Sequence, residues 1–150
     1  MINAIESVVI RIATFKDRNS IEQVYRASAG TGLSLPEAEW TRWVKNQGLV
    51  VAEVDDHLVG FGGIDVNAKE QLKWLYLTPE FQGRGIGSKL LGELEEIGWR
   101  SGLKSIRLHS TPNSQSFYRK SGYSAVAFEA QFGHDHDGIE MIKGRRDDHA

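Results

Sequence analysis

Residues 82–89 read Gln-Gly-Arg-Gly-Ile-Gly-Ser-Lys, three glycines within five residues and a guanidinium between the first two. Set between a strand and a helix, such a turn lets several backbone N–H groups converge on one anion. The positive end of the helix dipole then stands behind them. A phosphate or pyrophosphate site is the functional reading. A tight turn whose glycines only solve backbone geometry is the other. Nucleotide templates do not decide between them. The P-loop pattern fails because Ser88 stands where a glycine must precede Lys89. The dinucleotide pattern G-x-G-x-x-G fails from Gly83 at Ser88 and from Gly85 at Leu90.

Other constellations carry less chemistry. His134-Asp135-His136-Asp137 has metal-ligand residue types but no further ligand cluster at a suitable spacing, so it reads as a polar hairpin loop. Lys143, Arg145 and Arg146 are followed at once by Asp147 and Asp148 and read as a solvated tail. No Gly-x-Ser-x-Gly elbow is present. The chain has no cysteine, which excludes disulfides, thiolate metal sites and a catalytic thiol. A net charge of −2 argues against a nucleic-acid-binding surface. No apolar run approaches the ~20 residues of a membrane span. A cytoplasmic, reducing setting is expected.

The elements that must position these residues follow from periodicity. At 150 residues, one domain over 1–150 is expected. Residues 7–13 are β-branched and predict a strand. Ile21, Val24, Tyr25 and Ser28 share one face of a helix that stops at Gly30 and Gly32. Ser34 and Glu37 match a capping box for a second helix carrying Trp40, Trp43 and Val44. One of the two tryptophans is assigned to the core and the other to a pocket wall, with Trp74 and Trp99 in the core. Strands are expected over 48–54 and 58–66, joined by a turn at Asp55-Asp56-His57, and over 72–77. Gly60, Gly62 and Gly63 suggest a bulge or a close ligand approach. Ile86, Leu90, Leu94 and Ile97 mark a long amphipathic helix with Gly102 as its left-handed cap. A strand over 104–109, a short helix capped by Asn113, and a closing pair over 123–132 and 138–143 complete the order β-α-α-β-β-β-α-β-α-β-β. That order is a mixed, layered α/β domain.

Two segments resemble a known family. Residues 75–91, Leu-Tyr-Leu-Thr-Pro-Glu-Phe-Gln-Gly-Arg-Gly-Ile-Gly-Ser-Lys-Leu-Leu, closely resemble the signature of the GNAT superfamily of acyl-CoA N-acyltransferases. In that signature Arg or Gln is followed by two residues, Gly, one residue, and Gly or Ala. Gln82, Gly85 and Gly87 fill those places. Residues 113–123, Asn-Ser-Gln-Ser-Phe-Tyr-Arg-Lys-Ser-Gly-Tyr, look like the family's second block.

The resemblance covers nearly the whole chain. It implies a mostly antiparallel mixed sheet with splayed central strands, and acetyl-CoA as co-substrate. The acceptor would be an amine-bearing small molecule or protein, and relatives often form homodimers. By resemblance, the backbone of Leu75 and Leu77 pairs with the pantetheine arm, with Gln82 in the signature. Amides of Gly83, Arg84, Gly85, Ile86, Gly87 and Ser88 cradle the pyrophosphate, and Asn113 hydrogen-bonds the arm. The Leu77 amide donates to the thioester carbonyl. Tyr118 is the general acid. Many relatives place a basic Glu eleven residues before the Arg or Gln, and here that place is Gln71, which takes no proton at neutral pH. Glu70 and His109 are the candidate bases, with Glu53 and Asp65 on neighbouring strands. Two alternatives stand beside N-acetyl transfer. One is an acyl-CoA-binding sensor without turnover, and the other is transfer from a different acyl-CoA.

Overall fold

The structure, a computed structural model, describes residues 7–126 and 138–146. Along the chain run β1 (Val8–Ile12), α1 (Arg18–Ala29), α2 (Glu37–Lys45), β2 (Leu49–Val54), β3 (His57–Ile64) and β4 (Leu72–Leu77). There follow α3 (Ile86–Arg100), β5 (Ser105–Ser110), α4 (Gln115–Lys120), β6 (Ser124–Ala125) and β7 (Ile139–Gly144). Three short 3-10 turns, at Phe15–Asp17, Pro79–Phe81 and Pro112–Ser114, precede helices. The seven strands make a mixed, mostly antiparallel sheet. The chain divides into two compact units, one comprising the segment through Ile64 with Trp74–Leu94, the other Asp65–Lys73 with the segment from Glu95 onward.

In the first unit β1 and β3 both pair antiparallel with β2. The β2–β3 hairpin closes on Asp55 and Asp56 alone, with φ of 53° and 67°, because a two-residue turn must match the strand twist. The core on one sheet face joins Ile21 and Val24 of α1, Trp40, Trp43 and Val44 of α2, and Val51 and Phe61. Trp40 and Trp43 are 3% and 4% exposed, so both are core, which corrects the assignment of one to a pocket wall. Trp74 is half-buried against Trp43, with ring centroids 4.7 Å apart.

The glycines of β3 serve packing rather than a ligand. A Cβ at Gly60 would lie 2.6 Å from Leu77 Cδ2, and one at Gly62 would lie 2.5 Å from Leu94 Cδ1. The protein's own leucines from β4 and α3 make the close approach. The one recorded bulge in the β2–β3 pairing lies instead between Ala52 and Glu53.

Two caps differ from expectation. Helix α2 begins at Glu37 behind Pro36, with no side-chain cap, so the Ser34–Glu37 capping box does not form. A proline disfavours the helical region for the residue before it, and the helix accordingly starts only after Pro36. Glu37 instead pairs with Arg18, whose Nη2 also donates to Leu35 O at 2.8 Å. A capping box does form at Thr14 and Asp17.

In the second unit β7 pairs antiparallel with β5, from Ser105↔Gly144 to Ser110↔Ile139, and with β6. Leu72 pairs parallel with Leu108. The unit is pinned by a buried polar network. Tyr123 Oη donates to Glu95 Oε2 at 2.8 Å, and Lys143 Nζ donates to Glu95 Oε1 at 3.0 Å. Burial first, and the Glu95 carboxylate second, push the Tyr123 phenol well above its ordinary value. Trp99 is half-buried rather than fully in the core. Asn113 does not cap α4: the box ahead of that helix joins Thr111 to Ser114, because Pro112 opens a 3-10 turn that contains Asn113. Residues 127–132 of the expected closing pair, and His134–Asp137, lie outside the described residues. Among the described residues no cluster of His, Cys, Asp or Glu could hold a metal ion, and no helix is long and apolar enough to cross a membrane.

Candidate active site

In the first unit, β4 presents one edge of its backbone to β3. The carbonyl oxygens of Trp74 and Tyr76 stand 3.0 Å from where a Cβ would lie at Gly62 and Gly60, and Thr78 N–H donates to Val59 O at 2.9 Å. Backbone groups alternate along a strand, so the N–H and C=O of Leu75 and Leu77 lie on the opposite edge of β4. The resemblance assigns the pantetheine arm to these two residues. At Leu77 the carbonyl is already engaged, accepting from Ser28 Oγ at 2.7 Å and Gln82 Nε2 at 3.2 Å. A ligand along this edge therefore meets the N–H of Leu77 and not its oxygen.

Beyond β4 the chain turns through Pro79–Phe81 and reaches α3 at Ile86. Gly83 and Gly85 take φ of 78° and 86°, a left-handed conformation that side chains resist. An added Cβ at either would meet nothing within 4 Å, so conformation rather than crowding demands glycine. Arg84 lies exposed between them, its guanidinium 4.9 Å over the Phe81 ring. Ser88 is exposed and Gly87 half-buried in the first turn of α3, while Ile86 is buried and anchors the turn to the core. Amides at a fifteen-residue helix start, an arginine and open space suit a pyrophosphate.

In the second unit the remaining candidates sit on β5, on α4 and in the bend before β4. Gln71 is tied into the backbone: its Oε1 accepts Arg107 N–H of β5 at 2.8 Å, and its carbonyl accepts Asp65 N–H at 2.8 Å. Glu70 is half-buried in the bend before β4, outside the strand alternation that would have fixed its face. His109 is exposed on β5 and pairs in register with Glu140, which binds Arg107 at 2.9 Å. Tyr118 is 8% exposed, with its ring edge-on to Phe117 at 5.2 Å and to Tyr123 at 5.7 Å. Asn113 is exposed.

Of the other carboxylates, Glu53 belongs to the first unit and is bound by Arg11 at 3.0 Å, which gives it a structural task. Asp65 accepts Asn67 N–H at 3.0 Å and shapes the turn after β3. Sequence reasoning overlooked Ser28 and the tie made by Gln71. The available signal for Ser28 was a polar residue on the apolar stripe of α1.

The model of the acetyltransferase (GNAT) domain matches residues 45–125, more than half of the chain. The chain is 32% identical over 99 residues to the spermidine N(1)-acetyltransferase of Thermoplasma acidophilum, covering 63% of this chain and 56% of that protein. It is 28% identical over 120 residues to the [citrate [pro-3S]-lyase] ligase of Klebsiella pneumoniae, covering 80% of this chain and 32% of that protein. The chain thus spans less than two thirds of the length of these curated relatives. Among solved structures it is similar to the PaiA N-acetyltransferase of Thermoplasma acidophilum in complex with coenzyme A. The TM-score is 0.70 at 25% identity, over 93% of this chain and 99% of that one. Ard1 of Thermoplasma volcanium shares the fold with a TM-score of 0.75 at 18% identity, over 93% of this chain and 99% of that one.

Proposed function

The chain belongs to the GNAT acetyltransferase family, and from that premise we propose that it moves an acetyl group from acetyl-CoA to a primary amine by direct attack. One observation supports this most. The β4 edge carrying Leu75 and Leu77 leads into a turn whose two left-handed glycines open the start of α3. A strand edge suits an amide-bearing arm, and the turn suits a pyrophosphate.

Acetyl-CoA would supply the activated thioester, and every other task falls to this chain. The backbone N–H groups from Gly83 to Ser88 hold the pyrophosphate, with Arg84 adding a charge and Gln82 bracing the end of β4. Asn113 hydrogen-bonds the arm. Leu77 N–H donates to the thioester carbonyl oxygen, where it gains strength as negative charge develops. Tyr118 Oη gives its proton to the departing thiolate. For the proton of the attacking amine, His109 is better supported than Glu70. It is exposed on β5, and an imidazole nitrogen can take up and pass on a proton. With no cysteine in the chain, an acyl-cysteine intermediate is excluded and direct transfer is the simplest course.

The test is thiol release from acetyl-CoA against a panel of amines. Spermidine comes first, because a relative 32% identical carries that activity in its name. Amine-dependent release is expected. In His109→Gln the acid limb of the pH–rate profile should disappear, and an unchanged limb moves the base to Glu70. A second reading, an acyl-CoA-binding module without turnover, draws on Gln71, whose amide is committed to Arg107 where many relatives carry a base. Saturable acetyl-CoA binding with no release on any amine would establish that reading instead.

A further inference from the structure

The peptide group joining Leu77 to Thr78 is clamped on every side. Its N–H donates to Val59 O at 2.9 Å. Its carbonyl accepts from Gln82 Nε2 at 3.2 Å and from Ser28 Oγ at 2.7 Å. Gln82 belongs to the glycine-rich turn, but Ser28 reaches in from the last turn of α1. Its hydroxyl also lies 2.8 Å from Val24 O. A hydroxyl has one proton to donate, and Val24 O is the helical acceptor for the N–H of Ser28 itself. The proton therefore matters most at Leu77, where the contact is also shorter.

We propose that Ser28 is a positioning residue for acyl transfer. It occupies the Leu77 carbonyl and fixes the strand end, so that the Leu77 N–H is the backbone group offered to the acyl oxygen. A carbonyl left open on the same edge would repel the charge that develops there, and a mobile strand end would misplace the donor. The inference rests on the reading of Leu77 N–H as the donor to the thioester. It explains why a serine stands on the otherwise apolar stripe of Ile21, Val24 and Tyr25.

Ser28→Ala and Ser28→Thr test it, with turnover, thermal midpoint, and the dissociation constants of acetyl-CoA and of CoA measured by calorimetry. In Ser28→Ala, turnover should fall roughly tenfold, the size of one lost hydrogen bond. Any binding preference for acetyl-CoA over CoA should shrink. CoA affinity and the midpoint should hold, and Ser28→Thr, which keeps the hydroxyl, should restore activity. Wild-type turnover in Ser28→Ala overturns the proposal. So does a parallel loss of midpoint, CoA affinity and turnover, which would make Ser28 a tether of α1 only. If the wild-type protein binds acetyl-CoA without turnover, the transfer reading fails by itself. Ser28 is then judged by the binding preference: its loss in Ser28→Ala supports the role, and equal weakening of both ligands refutes it.

Discussion

The two halves of the proposed site offer chemistry by different means. From Leu75 to Ser88 the candidate groups are backbone N–H groups, and side chains hold the backbone still: Ser28 and Gln82 at the Leu77 carbonyl, Ile86 in the core. From His109 to Tyr118 the candidate groups are side chains, and their depth and face decide what each can do. Tyr118 is buried between aromatic rings while His109 and Asn113 are exposed. A backbone site tolerates most side-chain changes and fails at glycine. A side-chain site fails at single atoms.

The largest expected effect breaks the backbone half. Gly85→Glu combines a strained left-handed side chain with a negative charge, and should weaken acetyl-CoA binding by about a hundredfold or more. Gly92→Glu, at an exposed position on α3 where a Cβ meets nothing within 4 Å, should leave affinity unchanged. Calorimetry on both variants measures the difference, and equal losses would remove the turn from the site. The next effect isolates one atom of the side-chain half. Tyr118→Phe should lower turnover by about 10²-fold with acetyl-CoA affinity intact. Full activity in that variant would assign Tyr118 to packing alone.

Two smaller effects contrast the units through pH. In the second unit burial raises the Tyr123 phenol above its ordinary value of about 10. The folded chain keeps a proton that the unfolded chain gives up, so this contribution is whole below pH ~10 and drains away as pH rises. Tyr123→Phe should lower the thermal midpoint by about 3–6 °C near neutrality and flatten its decline in alkali. In the first unit the Arg11 guanidinium holds the Asp17 carboxyl below its usual range. That contribution is complete above pH ~4 and is lost as pH falls through the lowered value. Asp17→Asn should flatten the acid limb by a smaller margin, since Arg11 is partly exposed and its pairing is screened. Melting curves across pH would expose a reversal, in which either variant altered the opposite limb.

Legibility in the sequence followed the same division. Strand β5 could be read because its burial alternates, β1 to β4 because short runs of apolar residues stand out, and helices α1 and α3 because apolar residues recur at helical spacing. The glycine-rich turn could be read because left-handed φ at Gly83 and Gly85 restricts residue type directly. The caps could not. Ser34 has the right residue type, yet Pro36 delays the helix, and Arg18, from a distant part of the chain, takes Glu37. Asn113 is a good cap by type, yet Thr111 and Ser114 make the box. Trp40 and Trp43, three residues apart, both proved buried, which spacing alone could not decide. Glu53 looked available as a carboxylate until Arg11 was placed beside it.

By itself the sequence determined where backbone geometry is exceptional: the glycines after β4, the Asp55-Asp56 turn and the absence of any thiol. Those are local properties, carried by residue type and near neighbours. Only the tertiary structure decided which side chains are occupied. Gln71 is spent on Arg107, Glu95 on Tyr123 and Lys143, and Ser28 on the carbonyl of Leu77. Such assignments depend on partners from distant parts of the chain, and a hydrogen bond or ion pair forms only within a few ångströms. No spacing along the sequence encodes that distance.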